Sequence, residues 1–473
     1  MVKTSSPFGK SLSAAFEHSL QYLESLDTAP VDATVSLQTL RARLTKSLQD
    51  ECMPPEQVVA DLIHDADGGI VGSAGGRFFG WVVGGALPAA LAADWLTSVW
   101  DQNAGIHVSG PAAALAEEIS GAWLADLLGL PATASFAFVT GCQMAHVTCL
   151  AAARHAVLER RGWNVARRGL AGSPAIRILT TGERHGSFER AVRLLGLGLD
   201  NIVSLPSEDG QMSPSALERA LNTGGEVPTI VLLMAGDLIM GSYDEFEKLI
   251  PISRRHNAWV HVDGAFGLWA AASPHYRHLT RGVGAADSWA TDGHKWLNVP
   301  YDCGYAFVAD PMAHRAAMSH REPYLTHHTE ARDQMDWNPE WSRRARGFAT
   351  YAALRQLGRN GVAALVDQCC EQAHALVSGI GALPGAEAVC MPTVNMGLVR
   401  FLDPKPNATE EDHDRHTDRV IASINAGGEA YFGGTTWRGR RGMRISVSNW
   451  QTTAGDVERV IRAVAAAIAS AAA

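Results

Sequence analysis

The residues best suited to chemistry are a lysine and an aspartate that each close an apolar run. Lys295 lies in DGHKW (292–296), and Asp263 lies 32 residues earlier in HVDGA (261–265). A lysine amine that can become neutral forms a Schiff base with an aldehyde. An aspartate at the end of a buried strand can hold a ring nitrogen protonated through a charge-assisted hydrogen bond. Either residue alone is commonly structural, but their order and spacing together indicate a site.

Pyridoxal 5′-phosphate (PLP) requires both of these groups, an amine for its aldehyde and an acid for its pyridine nitrogen. Ala265 is small enough to let such a ring approach the strand. The turn TGCQMAH (140–146) contains a glycine and opens a predicted helix, so its backbone N–H groups can bind a phosphate. His185, in RHGS (184–187), follows another apolar run and could stack on a cofactor ring.

Seven short apolar runs recur between about residues 130 and 310, and longer amphipathic stretches separate several of them. Continuous apolar runs suit strands that are buried on both faces. Strands that alternate with helices predict a parallel sheet, and ligands gather at the carboxyl ends of such strands. The predicted strands are SFAFVT (135–140), IRILTT (176–181), NIVSLP (201–206), TIVLLMAG (229–236), AWVHVDGA (258–265), SWATDGHK (288–295) and YAFVAD (305–310).

The two ends of the chain have different patterns. Leucines recur at helical spacing near the N-terminus, at Leu37, Leu40, Leu44 and Leu48, which predicts helices without evident chemistry. A long helical stretch from about residue 345 leads into two strand-like runs and a closing helix, which predicts a smaller α+β domain. The predicted divisions are an N-terminal helical segment (1–75), a large cofactor-binding domain (76–340) and a small C-terminal domain (341–473).

The composition excludes several classes of protein. Hydrophobic residues make up 47% of the chain and charged residues 19%, which is typical of a globular protein. A net charge of −9 argues against nucleic acid or an anionic membrane as the main partner. The most apolar stretch is broken by Gly84, Gly85 and Pro88, so no membrane span is expected. Seven cysteines without a CxxC pair predict no disulfide framework, no metal site and a cytoplasmic location.

With these motifs in view, the sequence resembles the PLP-dependent group II amino-acid decarboxylases, the family of aromatic amino-acid and glutamate decarboxylases. The resemblance covers roughly residues 70 to 455, and HVDGAFG followed by DGHKWLNVPYDCG is its most specific part. The segments that carry it are RFFGWVVGGALPAALAADWL (77–96), TGCQMAH (140–146), RHGS (184–187), AGDLIMGSYD (235–244), HVDGAFG (261–267), DSWATDGHKWLNVPYDCG (287–304) and MRISVSNWQTT (443–453).

The resemblance implies a role for each matching residue. Lys295 forms the Schiff base, His294 touches the cofactor phosphate, and Asp263 pairs with the pyridine nitrogen. Ala265 packs under the ring, while His185 stacks on its other face and lies near the substrate carboxylate. The implied fold is the type I, aspartate aminotransferase-like fold, with a mostly parallel seven-stranded sheet. The implied assembly is a homodimer with active sites at the subunit interface.

Some matching positions depart from the family pattern. Gly141, Cys142 and Gln143 occupy the phosphate-binding turn, where the family usually has small or hydroxyl residues. Met144 stands where the family commonly has Glu. Asp237 stands where the family often has Asn or Thr near the cofactor oxygen. Phosphate binding is therefore expected to depend on backbone N–H groups, Gln143 and His294.

The largest departure is in the loop that follows the lysine. Aromatic decarboxylases carry a Tyr there that protonates the substrate Cα, and in this chain its position falls near Gln334. We expect Tyr324 or His328 to take its place, with His327 as a further candidate. In related enzymes, loss of that Tyr diverts the reaction toward oxidative deamination to an aldehyde.

The resemblance implies decarboxylation of an L-amino acid to the corresponding amine. Phe79 and Trp81 lie in the segment that usually lines the substrate pocket, so we expect an apolar or aromatic substrate side chain. Other PLP chemistry on the same scaffold stays open, namely aldehyde synthesis, carbon–carbon lyase chemistry or transamination. A PLP-binding homolog without turnover is the alternative from a different class.

Overall fold

The computed structural model describes residues 6–320 and 331–472. In these ranges the helices are α1 (Gly9–Ser25), α2 (Leu37–Leu44), α3 (Pro55–Ala66), α4 (Pro88–Trp100), α5 (Pro111–Leu127), α6 (Cys142–Glu159), α7 (Val165–Arg168), α8 (Gly186–Leu194), α9 (Pro214–Thr223), α10 (Phe246–Arg255), α11 (Pro311–Met318), α12 (Gly347–Gly381), α13 (Glu410–Ala426) and α14 (Ala454–Ala472). The strands are β1 (Ser135–Val139), β2 (Arg177–Thr180), β3 (Ile202–Ser204), β4 (Ser207–Glu208), β5 (Gln211–Met212), β6 (Thr229–Met234), β7 (Trp259–Asp263), β8 (Ser288–Asp292), β9 (Gly304–Val308), β10 (Ala386–Cys390), β11 (Met396–Phe401), β12 (Gly433–Trp437) and β13 (Arg440–Ser446).

The main sheet has seven strands in the order β1-β9-β8-β7-β6-β2-β3. All seven predicted strands are present in it, and neighbours from β8 through β7, β6 and β2 to β3 run parallel. β9 runs opposite to the other six strands, so it is antiparallel to both of its neighbours, β1 and β8. It returns directly because the connection 293–303 is too short for a crossover helix, which needs about a dozen residues or more. The predicted mostly parallel seven-stranded sheet is confirmed.

Helices cover both faces of this sheet, and each face has its own core. Along β6, Val231 and Leu233 face one core, while Ile230, Leu232 and Met234 face the other. This alternation follows from the two-residue period of a strand. It explains why the strand is apolar from Ile230 to Met234, as a central strand buried on both faces is expected to be.

The C-terminal part contains a separate antiparallel sheet in the order β10-β11-β13-β12. Helices α12, α13 and α14 pack together beside it, and α12 is interrupted at Gly358, whose φ of 59° is left-handed. The irregular segment near residue 79 is bound to the C-terminal part, because Phe79 N–H donates to Tyr431 O and Ser446 N–H donates to Phe79 O. The domain boundaries at 75/76 and 340/341 stay predictions.

The N-terminal leucine pattern only partly matches a helix. Helix α2 ends at Leu44, and Leu48 lies beyond it with its side chain fully exposed. Leu37 and Leu44 are exposed as well, so these leucines form part of the exposed apolar surface and do not pack in the core. Within the described ranges, no helix combines the length and apolar character that crossing a membrane requires.

Candidate active site

The sheet brings the predicted site residues to one edge. Strands β7 and β8 are parallel neighbours with Asp263 opposite Ala290, so Asp263 and Asp292 end adjacent strands at the same edge. β1 reaches that edge too, and α6 begins there at Cys142. After β2, helix α8 begins at Gly186. The predicted site residues thus lie where strands end and helices begin, because the parallel strands bring their carboxyl ends to one edge of the sheet.

Lys295 is held beside a carboxylate. Its Nζ lies 2.9 Å from Asp292 Oδ2, and 19% of its side chain is exposed. Burial acts to lower the pKa of Lys295, but Asp292 and other nearby groups outweigh it, and the pKa is raised overall. The amine is therefore protonated in the free chain. Asp292 is positioned to accept the proton that Lys295 must lose before it can attack an aldehyde.

His294 lies against the start of α6. Its Nδ1 accepts a hydrogen bond of 3.2 Å from Cys303 N–H, and its ring stacks on Tyr301 with centroids 4.3 Å apart. Burial lowers the pKa of His294, so the ring is neutral and carries its proton on Nε2. That nitrogen lies 3.6 Å from Asp292 Oδ1.

Asp263 is buried and its carboxylate has polar partners on both oxygens. Oδ1 accepts from Ala265 N–H at 3.1 Å, and Oδ2 lies 3.3 Å from Nε2 of His146. Burial acts to raise the pKa of Asp263, but His146 and the hydrogen bonds hold it below its usual range. An ionised carboxylate at this position is what a protonated pyridine nitrogen needs.

His185 precedes α8 and caps it. Its Nδ1 accepts from Ser187 N–H at 3.2 Å and lies 2.6 Å from Ser187 Oγ. Because Nδ1 accepts, Nε2 carries the proton of the neutral ring. The side chain is exposed in the single chain, so its ring is free to meet a ligand.

The start of α6 forms a narrow cradle. A Cβ on Gly141 would lie 3.0 Å from His294 Cε1, and a Cβ on Gly304 would lie 2.5 Å from Gly141 Cα. The N–H of Cys142 already donates to Asp292 Oδ1 at 2.6 Å, which leaves the following first-turn N–H groups for an anion. An amine, an ionised carboxylate and an open helix start are the donor set that PLP requires, so the residues present fit this cofactor.

Two residues of the predicted phosphate turn have other side-chain contacts. The Cys142 sulfur lies 3.5 Å from His146 Nε2 and 3.9 Å from Asp263 Oδ1, so it faces the ring-nitrogen side of the site. The Gln143 amide oxygen accepts from Arg190 at 3.4 Å. Their roles as phosphate ligands through side chains stay predictions.

Asp237 and Phe79 have side-chain contacts that the sequence did not predict, and the cofactor-binding role of Asp237 stays a prediction. The Asp237 carboxylate accepts from the N–H groups of Ile239, Met240 and Ser242, so it caps its own turn. The Phe79 ring is fully buried and stacks on Phe432 with centroids 5.2 Å apart. Because no part of this ring reaches open space, the structure argues against Phe79 as a pocket-lining residue.

Trp81 fits the expected substrate side better. Its side chain is 63% exposed and lies 5.6–5.9 Å from the rings of Tyr431 and Phe78. Its φ of 49° is left-handed, which is costly for a bulky residue and is found mostly where function requires it.

The predicted proton donors Tyr324 and His328, with His327, lie outside the described residues. Gln334, near which the family Tyr position falls, is fully buried, and its amide donates to Ala114 O at 3.2 Å. Gln334 is thus a packing residue held against α5.

Sequence reasoning assigned no role to His146, His261, Ser288 or Asp292. Two periodicities could have found some of them. Cys142 and His146 are four apart on a helix and share a face, while His261 and Asp263 are two apart on a strand and share a face. That these two faces meet is decided only by the packing of α6 on β7.

Comparison with known proteins agrees with this geometry. The pyridoxal-dependent decarboxylase conserved domain matches residues 38–402. Tryptophan decarboxylase 1 of Oryza sativa subsp. japonica is 28% identical over 90% of this chain and 87% of its own length. Phenylacetaldehyde synthase of Petunia hybrida is 25% identical over the same shares of the two chains.

A solved structure shows the same fold. The crystal structure of Oryza sativa TDC with PLP and tryptamine superposes with a TM-score of 0.92 at 24% identity, and 99% of each chain is covered. The fold and site define a PLP-dependent enzyme of the type I fold, which confirms the predicted fold class and cofactor. The chain belongs to the pyridoxal-dependent decarboxylase family.

Proposed function

We propose that this chain decarboxylates an aromatic L-amino acid to the corresponding amine and that it works as a homodimer. The observation that carries the proposal is the placement of Lys295 and Asp263 at the ends of neighbouring parallel strands, each held by a polar partner. The decarboxylase domain match over residues 38–402 supports the reaction class.

Bound PLP supplies an electron-accepting ring for the electron pair that departing carbon dioxide leaves behind. Asp263 keeps a negative charge beside the ring nitrogen, so that the nitrogen holds its proton. Lys295 would hold the cofactor through its aldehyde, and Asp292, 2.9 Å from Nζ, would stabilise the protonated amine whenever Lys295 is free. His185, whose Nδ1 accepts from Ser187 N–H, would stack on the ring and direct its Nε2–H toward the substrate carboxylate.

An aromatic side chain in the substrate is supported by the exposed Trp81, which packs on the rings of the buried Phe78 and the partly buried Tyr431. Phe78 and Tyr431 stack with centroids 4.9 Å apart, which gives Trp81 a rigid base. Aromatic rings attract one another through offset and edge contacts as well as through apolar burial. The tryptophan decarboxylase among the relatives points to the same substrate class.

The test is a substrate screen of the purified holoenzyme. Carbon dioxide, amine, ammonia and hydrogen peroxide are followed together for the twenty amino acids, L-DOPA and L-2,4-diaminobutyrate. We expect carbon dioxide and amine in equal amounts, with tryptophan, tyrosine, phenylalanine or L-DOPA as the best substrates. Preference for an acidic or cationic amino acid would contradict the substrate class, and product without carbon dioxide would contradict the reaction.

Aldehyde synthesis is the second candidate, because the buried Gln334 occupies the region of the family's proton donor. In that reaction the amino acid, oxygen and water yield aldehyde, carbon dioxide, ammonia and hydrogen peroxide. The Petunia hybrida phenylacetaldehyde synthase is a relative at 25% identity. Equal amounts of aldehyde and peroxide, with no amine, would favour this candidate over amine formation.

The proton donor to Cα is tested through product ratios. We propose Tyr324 as donor, with His328 second, and compare Tyr324→Phe, His327→Gln, His328→Gln and His185→Gln. Loss of the true donor is expected to slow amine formation by about 10²–10⁴-fold and to raise the aldehyde share. If all four variants keep the wild-type rate and ratio, Lys295 becomes the better candidate for the proton.

The homodimer is supported by a large uncovered apolar surface on α1, α4 and α5. Exposed apolar residues that adjoin one another on a surface mark places where another chain can pack. Phe16 of α1 and Trp95 of α4 meet edge to face with centroids 6.2 Å apart, so the surface is continuous between these helices. Its exposed members include Leu12, Phe16, Leu20, Trp95, Leu96, Val99, Trp100, Leu115, Ile119 and Trp123.

Analytical ultracentrifugation tests this assembly. We expect the wild-type chain to sediment as a dimer and Val99→Glu to weaken the dimer and lower activity. Val203→Glu serves as the control, because it makes the same substitution at an exposed valine of edge strand β3. This variant should stay dimeric. A dimer of unchanged strength in Val99→Glu would place the interface elsewhere.

A further inference from the structure

His146 is a fully buried histidine that faces the carboxylate of the cofactor site. It lies one helical turn after Cys142 on α6, and its ring also packs edge to face against Phe188 with centroids 5.8 Å apart. We propose that His146 is a positioning residue that keeps Asp263 ionised and thereby keeps a proton on the ring nitrogen of bound PLP. This inference rests on the proposed function.

A buried chain of hydrogen bonds supports His146 from behind. Its Nδ1 lies 2.9 Å from His261 Nε2, and His261 Nδ1 lies 2.9 Å from Ser288 Oγ. Trp259 Nε1–H donates to the same Ser288 Oγ at 2.9 Å. His261 and Ser288 are opposite each other on β7 and β8, so the sheet register sets this chain of contacts.

The direction of the bonds follows from the chemistry of the groups. The ionised Asp263 can only accept, so His146 must carry a proton on Nε2. When His146 is neutral, its Nδ1 accepts from His261. When His146 is a cation, its Nδ1 donates to His261, whose Nδ1 then donates to Ser288. Either arrangement satisfies the buried nitrogens and keeps an N–H directed at Asp263.

The carboxylate needs this support because it is buried. Burial alone favours the neutral acid, and His146 is the largest opposing influence on Asp263. Other groups near it include the Cys142 thiol, the Ala265 N–H, the Lys295 amine and the rings of His185 and His261. A neutral Asp263 would have taken the proton that the ring nitrogen needs, and the ring would accept electrons less readily.

The test compares two substitutions in the holoenzyme reconstituted with PLP labelled with 15N in the ring. His146→Leu removes the N–H donor and keeps an apolar side chain. His146→Gln keeps an amide N–H near the position of Nε2. The 15N chemical shift reports whether the ring nitrogen is protonated, without substrate and without turnover.

We expect the 15N shift of His146→Leu to move toward the unprotonated value and that of His146→Gln to stay closer to wild type. In His146→Leu, kcat should fall by about 10–100-fold, the usual cost of losing a group that orients a functional ligand. KM should change by less than about threefold, since His146 does not touch the substrate.

His314→Leu is the matched control. His314 is equally buried, and its nitrogens lie 2.9 Å from Ser135 Oγ and 2.8 Å from Trp337 O, among groups other than the site residues. It should lower stability and leave the 15N shift unchanged. If His146→Leu does not fold, His261→Asn tests the inference instead. This substitution breaks the chain of hydrogen bonds one residue further from Asp263, so the 15N signal should shift in the same direction by a smaller amount.

An unchanged 15N shift in His146→Leu, or in His261→Asn where that variant decides, overturns the inference. The inference is also overturned if the 15N shift of His146→Leu changes only as much as that of the His314→Leu control. Because the signal is read without substrate, failure of the proposed decarboxylation does not affect it. Loss of the proposed reaction with the expected 15N shifts would therefore leave the role of His146 standing.

Discussion

The cofactor side and the substrate side of this site are built in different ways. On the cofactor side, Lys295 and Asp263 are held by charged and polar partners within 3.3 Å, at the ends of regular strands. On the substrate side, Trp81 sits in an irregular segment with 63% of its side chain exposed, and its neighbours are aromatic rings. Lys295 and Asp263 find their partners within a single chain, whereas the Trp81 side chain is largely open to solvent.

The difference indicates a division of labour between the chain and its proposed partner. Buried charges need fixed partners at short range, and a sheet edge supplies them within one chain. An apolar substrate pocket needs only covered surface, which a second subunit can complete. We therefore expect changes on the cofactor side to act on the chemical step, and changes on the substrate side to act on binding.

The largest effect is expected from Lys295→Ala. Loss of the amine that holds the cofactor should reduce turnover by more than about 10³-fold and remove the visible absorbance of covalently held PLP. Lys248→Ala, at an exposed lysine paired with Glu245, is the control and should keep both. Retention of the absorbance and activity in Lys295→Ala would show that another amine holds the cofactor.

Asp263→Ala should come next. Without the carboxylate the ring nitrogen loses its charge partner, so we expect kcat to fall by about 10²–10³-fold while cofactor stays bound through Lys295. Steady-state kinetics and the cofactor absorbance measure the two separately. The exposed Asp126→Ala should behave as wild type. A near-normal kcat in Asp263→Ala would break the distinction between the two sides.

Phe79→Ala separates packing from substrate binding. Because the Phe79 ring is fully buried against Phe432, its removal should destabilise the fold by about 3–5 kcal/mol. Relative kcat/KM values among aromatic amino acids should not change below the unfolding temperature. Thermal denaturation and competition assays check both expectations, and an altered substrate preference would place Phe79 in the pocket after all.

Trp81→Ala is expected to have the smallest effect and a different character. Loss of one aromatic contact, worth about 0.5–1.5 kcal/mol, should raise KM for aromatic substrates by about 2- to 12-fold with kcat nearly unchanged. Trp81→Phe should recover most of the loss. A fall in kcat with unchanged KM would mean that Trp81 acts on the chemical step.

Sequence reasoning succeeded where a residue's position follows from regular structure. Asp263 and Lys295 follow apolar runs, and parallel strands bring their carboxyl ends to one edge, so their proximity was predictable. The same reasoning found all seven strands of the main sheet but not the reversed direction of β9. Strand direction depends on the length of the 293–303 connection as well as on the apolar pattern.

Sequence reasoning did not predict side-chain contacts that depend on distant packing, or the places where a helix ends and a turn is capped. Phe79 and Trp81 are two residues apart, yet one ring is buried and the other exposed, because Phe79 meets Phe432 of the C-terminal part. Leu48 continues a helical spacing, but α2 ends before it. The capping role of Asp237 depends on the local turn, and the pattern of apolar residues does not predict a turn of this kind.

The sequence by itself determined the strands, the lysine and aspartate at their ends, and the family with its cofactor. These depend on local apolar runs and on short motifs, which are written in consecutive residues. Only the tertiary structure decided that His146 of α6 meets Asp263 and that His261 and Ser288 stand behind it. The contact between His146 and His261 joins residues 115 positions apart, whereas His261 and Ser288 are 27 apart on neighbouring strands. The contacts of His146 arise only when a helix face packs on a sheet face and buries polar groups that must then find partners.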